Sequence, residues 1–210
     1  MQFENVLVLA PHTDDGELGA GGFISRLLEE EAKVTYVAFS TAESSVPDHL
    51  PKDILKTEVK DATEKLGILS ENLIILDYEV RKLNYSRQEI LEDLINIKNK
   101  SHYDLVLLPS LKDIHQDHST VTQEGLRAFK NSTILGYELI WNNLSFDTTS
   151  FVKLEKKHID AKYNALKSYK SQKERQYMKK DFIYSLAKTR GVQIGADFAE
   201  SFEVLRWVIN

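Results

Sequence analysis

Two short stretches hold the side chains best suited to chemistry. The first reads Pro11-His12-Thr13-Asp14-Asp15-Gly16-Glu17 and packs one imidazole and three carboxylates into six residues. Acids this close raise one another's pKa, and a cation or hydrogen bonds must compensate. A divalent metal would do so, because His and Asp are good zinc ligands and catalytic zinc sites combine three protein ligands with an open position. Helix capping accounts for one or two of the acids but not for a histidine placed just before them. The second stretch, Asp113-Ile114-His115-Gln116-Asp117-His118, holds two more of the six histidines. His115 and His118 are three residues apart, so in a helix both rings can face one way. One could bind metal while the other serves as acid or oxyanion donor, and Asp117 could fix an imidazole's tautomer by accepting its N–H.

The elements that must position these loops alternate. Residues 6–10, 34–40, 73–76 and 104–109 are nearly continuous apolar runs, as in strands covered on both faces. Residues 17–31, 52–66 and 86–100 carry apolar positions at helical spacing. A helix is expected from about 119 to 130, a strand over 133–138, helices through 155–190 and a terminal strand over 198–208. The pattern predicts an α/β chain with 1–210 as one domain, a Rossmann-like three-layer sandwich with a mostly parallel sheet and a helical C-terminal third. Ligands bind outside the carboxyl ends of such strands. Both acidic loops follow strands at that edge, which points to one shared metal site.

Other chemistries fit less well. Gly16, Gly19, Gly21 and Gly22 do not give G-x-G-x-x-G, and carboxylates at the helix start oppose a pyrophosphate. The glycines are expected to allow close packing of the first helix. No G-x-S-x-G elbow or H-E-x-x-H helix is present. Absence of cysteine removes thiolate ligands and nucleophiles. A formal charge of −5 argues against nucleic acid as partner. The basic-rich stretch 170–188 also holds Glu174 and Asp181 and reads as a solvated helix face. No export signal and no run of 18 apolar residues appears. A cytoplasmic enzyme without membrane insertion is the expectation, and a homo-oligomer stays open.

The two loops together resemble the P-H-P-D-D-E-x-L-G-x-G-G and H-P-D-H signatures of the LmbE-like (PIG-L) deacetylases. Ala165-Leu166 with Tyr169, Ser171 and Gln172, then Arg190-Gly191 and Ala199-Glu200-Ser201-Phe202, are similar to further elements of that family. The resemblance implies that His12, Asp15 and His118 hold Zn2+, that Asp14 is the general base taking a proton from the attacking water, and that His115, oriented by Asp117, stabilises the oxyanion or protonates the leaving amine. Fe2+ or manganese could occupy the same donors. It implies an N-acetylglucosamine-type amino sugar as substrate, a soluble conjugate or nucleotide-linked precursor. The sequence departs from the signature at Thr13, Gly16 and Gln116, where the family has Pro, Glu and Pro.

For the substrate, Tyr137 and Glu138 at the end of a predicted strand and Trp141 just after it suit a sugar, and Arg190 could meet an anionic group or simply end a helix before Gly191. Ser44, Ser45 and residues 47–51 would form a rim. A metal-dependent esterase or phosphatase, and a sugar- or nucleotide-binding module left vestigial by Gly16, are the rival readings.

Overall fold

The computed structural model describes residues 3–209; Met1, Gln2 and Asn210, the ends of the predicted 1–210 unit, lie outside the described residues. Seven strands and six α-helices follow in the order β1 (Asn5–His12), α1 (Asp15–Glu29), β2 (Lys33–Ser40), α2 (Ile54–Leu66), β3 (Leu73–Ile75), α3 (Arg87–Lys100), β4 (Leu105–Pro109), α4 (Gln116–Ala128), β5 (Thr133–Tyr137), β6 (Ser150–Leu154), α5 (Lys156–Leu166), α6 (Lys180–Val192) and β7 (Phe198–Arg206). They build one sheet in the order β3-β2-β1-β4-β5-β7-β6. β1 to β5 run parallel, and β7 is antiparallel to both β5 and β6.

The apolar runs become central strands because both sheet faces are covered. Val6, Val8 and Ala10 pack with Ile24, Leu55, Val59 and Ile159 of α1, α2 and α5. Leu7 and Leu9 turn to the other side and meet Ile90, Leu94 and Val121 of α3 and α4. The expected three layers are therefore present. Edge strand β6 was missed, since its half-exposed residues carry no alternation. The predicted helical stretch 155–190 divides into α5 and α6, joined by 3-10 turns at Lys170–Gln172 and Gln176–Met178.

The order of the sheet reverses at β1, whose neighbours are β2 and β4. Crossovers leaving in opposite directions open a crevice at such a point. The loops after β1 and β4 therefore lie side by side although about a hundred residues separate them.

Close packing of α1 depends on its glycines. A Cβ at Gly19 would lie 2.3 Å from the Tyr137 ring, and one at Gly16 would lie 2.6–2.8 Å from the ring and hydroxyl of Tyr36. Further along α1, the Gly22 and Phe23 N–H groups donate to Glu200, whose Oε1 also takes Lys162 Nζ at 2.6 Å. Glu200 and Lys162, both buried, thus clamp β7 and α5 to the helix that begins in the acidic loop.

Candidate metal centre and cleft

Asp14 and Asp15 sit at the start of α1, where acids often cap. Neither does so: the Asp14 side chain makes no capping bond, and Asp15 Oδ2 turns back to accept the His12 backbone N–H at 2.8 Å. That turn brings Asp15 Oδ2 to 3.1 Å from His12 Nδ1 and 3.2 Å from His118 Nε2. The two imidazole nitrogens are themselves 3.2 Å apart. Bonds of about 2.0–2.1 Å at tetrahedral angles place ligand atoms roughly 3.3 Å from one another. The triangle has nearly those edges.

The far sides of both rings are spoken for. His12 Nε2 lies 3.0 Å from Asp117 Oδ2, and His118 Nδ1 lies 2.7 Å from Asp113 Oδ2. A carboxylate only accepts, so those nitrogens carry the protons. In the neutral rings, His12 Nδ1 and His118 Nε2 then present lone pairs to each other and to the Asp15 oxygen. Three converging acceptors require positive charge at their centre, which is the donor set a divalent ion fits.

Protons can fill the same need. Burial opposes charge on His12, but the Asp15 charge and the bonds to Asp117 and Asp15 outweigh it and push its pKa up to about 9. For His118, burial is likewise outweighed by Asp15 and Asp113, and the value rises to about 10. The same two imidazoles overcome burial at Asp15 and hold its carboxyl far below the usual range. Asp14 moves the other way: burial and the adjacent Asp15 charge raise it to about 6.

His115 is the N-cap of α4, which starts three residues earlier than the sequence predicted. Its Nδ1 accepts the Asp117 backbone N–H at 3.2 Å. Its ring stacks on His118 with centroids 4.5 Å apart. Nitrogens of His12, His115 and His118 fall within 4.8 Å of one another, but Asp15 completes the tighter triangle. With Nδ1 used in the cap, His115 carries its proton on Nε2. Burial and the neighbouring His118 and His12 charges lower its pKa to about 4, so it is a neutral donor.

The expectation for Asp117 needs correction. Its carboxylate reaches His12, not His115, because the first turn of α4 points it inward, where it also accepts the backbone N–H of Arg81 at 2.6 Å and of Leu83 at 3.3 Å. Asp113, unassigned from the sequence, does the parallel work for His118. Asp117→Asn keeps the shape and removes the charge. A 10- to 100-fold loss of metal affinity, about what removal of such a partner costs, is expected in a chelator competition.

Behind the loop, Tyr36 and Tyr169 hydroxyls converge on the Thr13 carbonyl at 3.0 and 2.7 Å and on the Glu17 carboxyl, Tyr36 by a very short contact and Tyr169 at 2.9 Å. Two phenol protons cannot serve four contacts, and a proton on Glu17 supplies a third. Burial raises Glu17 to about 8, outweighing the tyrosine hydrogen bonds, which by themselves favour the carboxylate. Its folded-state pKa exceeds the ordinary 4.5, so stability from this group is complete below that value and is lost as pH rises through about 8. Glu17→Gln should keep the fold and flatten this slope, whereas Glu17→Ala should cost about 2–4 kcal/mol; melting curves between about pH 5 and 9 check both.

A cleft of about 280 Å³ opens over the triangle, lined by His12, Asp14, Asp15, His115 and His118 together with Arg81, Trp141, Gln172, Arg175 and Tyr177. Of the residues predicted for substrate, Trp141 is here, stacked on Tyr177 at 3.9 Å, and Ser45 forms part of the expected rim. Tyr137, Glu138 and Arg190 are not. Tyr137 is fully buried, its ring filling the space over Gly19 and its hydroxyl donating to the Leu9 carbonyl at 2.9 Å. Glu138 and Arg190 form a two-point ion pair beside Lys162 and Glu200 in a separate small cavity. Gln172, Arg175 and Tyr177 come from the stretch read as a solvated helix face. Ser171 anchors that stretch, its N–H and Oγ–H donating to buried Glu58 of α2.

Residues 7–129, more than half the chain, match the GlcNAc-PI de-N-acetylase (PIG-L) family. The chain belongs to that family. It is 27% identical over 174 residues to the uncharacterized deacetylase YaiS of Escherichia coli K12, a match covering 80% of this chain and 91% of that protein. Diacetylchitobiose deacetylase of Thermococcus kodakarensis is 27% identical over 133 residues, 60% of this chain and 49% of its own. The fold matches N,N'-diacetylchitobiose deacetylase of Pyrococcus horikoshii, solved with an inhibitor, at a TM-score of 0.80 and 23% identity, over 97% of this chain and 84% of that one. Among the described residues no helix is long and apolar enough to cross a membrane.

Proposed function

We propose that this PIG-L family member is a metal-dependent N-deacetylase that hydrolyses the acetamide of an N-acetylglucosamine-type sugar, with His12, Asp15 and His118 holding Zn2+ or a similar divalent ion. The observation that carries the reading is the triangle of lone pairs with a free carboxylate, Asp14, on the adjacent residue. A divalent ion bound there supplies a Lewis acid for the acetyl carbonyl and acidifies water.

The chain's own groups account for the remaining proton traffic. Asp14, ionised, takes a proton from the attacking water. Its elevated pKa then suits it to return that proton to the sugar nitrogen as the C–N bond breaks, so free amine and acetate leave and the base is regenerated. Neutral His115 donates its Nε2–H to the carbonyl oxygen as negative charge builds there. Asp113 and Asp117 keep the ligand tautomers fixed. Trp141 and Tyr177 offer an apolar face to the pyranose.

Two observations speak against a vestigial site. The triangle is complete, and the space left by Gly16 is filled by Tyr36. Incubation with a panel of N-acetylated amino sugars, soluble conjugates and nucleotide-linked ones included, should release acetate from at least one. Release of phosphate instead, or of acetate only from O-acetyl esters, would favour the esterase or phosphatase alternative.

A further inference from the structure

The chain has seven arginines. Arg26, Arg87, Arg127 and Arg190 pair with glutamates, and Arg206 donates to the Leu126 and Phe129 carbonyls. Among the described residues only Arg81 and Arg175 have neither kind of partner for their guanidinium groups, and both line the cleft. Each is nonetheless held in place. Arg81 has a left-handed backbone, φ 68°, a conformation that is strained for a non-glycine residue and gathers at ligand clamps. Asp117 fixes it there through the Arg81 N–H, and Ser45 Oγ accepts from its Nη2 at 3.2 Å. Arg175 donates from Nε to Gln172 Oε1 at 2.8 Å, and its guanidinium lies 5.9 Å from the Tyr177 ring centroid. Neither guanidinium has a carboxylate within salt-bridge distance, although the Arg175 charge is felt by Asp14 across the cleft, so nitrogens of both groups face the cleft without an ion-pair partner.

The cleft also continues. A second depression shares Ser45, Gln172 and Arg175 with it and adds His49, Lys170, Lys173 and a single acid, Glu174. Glu174 faces Lys173 and Lys179. In a chain of net charge −5, the path leading out of the acidic centre is basic.

We propose that the substrate's end remote from the acetamide carries a carboxylate or phosphate, bound between Arg81 and Arg175 with the basic depression beyond. This inference builds on the deacetylase reading and names the substrate class within it. The metal-loaded protein should be assayed for acetate release from N-acetylglucosamine 1-phosphate, a carboxymethyl glycoside and the methyl glycoside. At least a tenfold higher kcat/KM is expected for one of the charged compounds, and which of the two leads distinguishes phosphate from carboxylate. That preference should fall toward unity in Arg81→Gln and Arg175→Gln, as loss of a charge-assisted hydrogen bond is worth about tenfold or more.

Equal use of all three compounds, or a preference that survives both substitutions, overturns the inference. Absence of acetate from all three counts against the deacetylase reading, and the anion site is then decided by calorimetric binding of glucosamine 1-phosphate against methyl glucosaminide. Tighter, salt-sensitive binding of the phosphate supports the site, and equal binding overturns it.

Discussion

Asp14→Asn should lower kcat by about 10²- to 10⁴-fold, the usual contribution of a positioned general base, with the metal content unchanged. Metal is retained because Asp14 lies outside the ligand triangle, and the fold is retained because its side chain makes no capping bond. Adjacent Asp14 and Asp15 have been driven in opposite directions, one up to about 6 and the other far below the ordinary range. Such divergence assigns roles: the carboxylate clamped by two imidazoles stays ionised and binds, and the other can gain and lose a proton near neutrality. Asp14 must be ionised to accept a proton, so kcat/KM should rise with pH along an acid limb. A bound cation adds a downward push, placing the midpoint at or below about 6. The limb should vanish in Asp14→Asn. Full activity in that variant would falsify the assignment of the base.

Chelation should abolish amide hydrolysis and added zinc restore it, and affinity should climb steeply with pH. In the metal-free centre His12 and His118 hold protons up to about 9 and 10. An ion entering the triangle displaces both, so below those values each pH unit should raise affinity by up to ~100-fold. Competition titrations at about pH 6, 7 and 8, with proton release measured in buffers of different ionisation enthalpy, test this. An affinity independent of pH would mean that the ion binds through other donors.

The clustering of His12, Asp15 and His118, the proposed ligands, was legible in the sequence because it depends on residue type, loop position and strand order. Those are local patterns plus one topological rule, and the order β2-β1-β4 brought His12 and His118 together as expected. The partners of the ligands were less legible. Asp117 is aimed by the first turn of α4 and Asp113 by the loop before it, so spacing could not say which imidazole each would meet. The cleft walls were hidden for another reason. Arg175 and Tyr177 sit in a charged stretch indistinguishable by composition from a solvated helix, and a contact with Glu58, more than a hundred residues earlier, holds that stretch in place. Tyr137 and Glu138 misled because a strand end reads alike whether its side chains face a ligand or the core. Here Gly19 provides room for the Tyr137 ring, and Arg190 occupies Glu138.

Gly16 departs from the family signature, and its surroundings set the order in which that departure could be undone. Any side chain at 16 overlaps the Tyr36 ring and hydroxyl, while Tyr36 also holds the Thr13 carbonyl and Glu17. A change at 16 made first creates a steric clash, whereas a change at 36 made first opens space and gives up those two contacts and the bond from the Gly16 N–H. The two positions are sterically coupled: a larger residue fits at 16 only once the Tyr36 ring has given way.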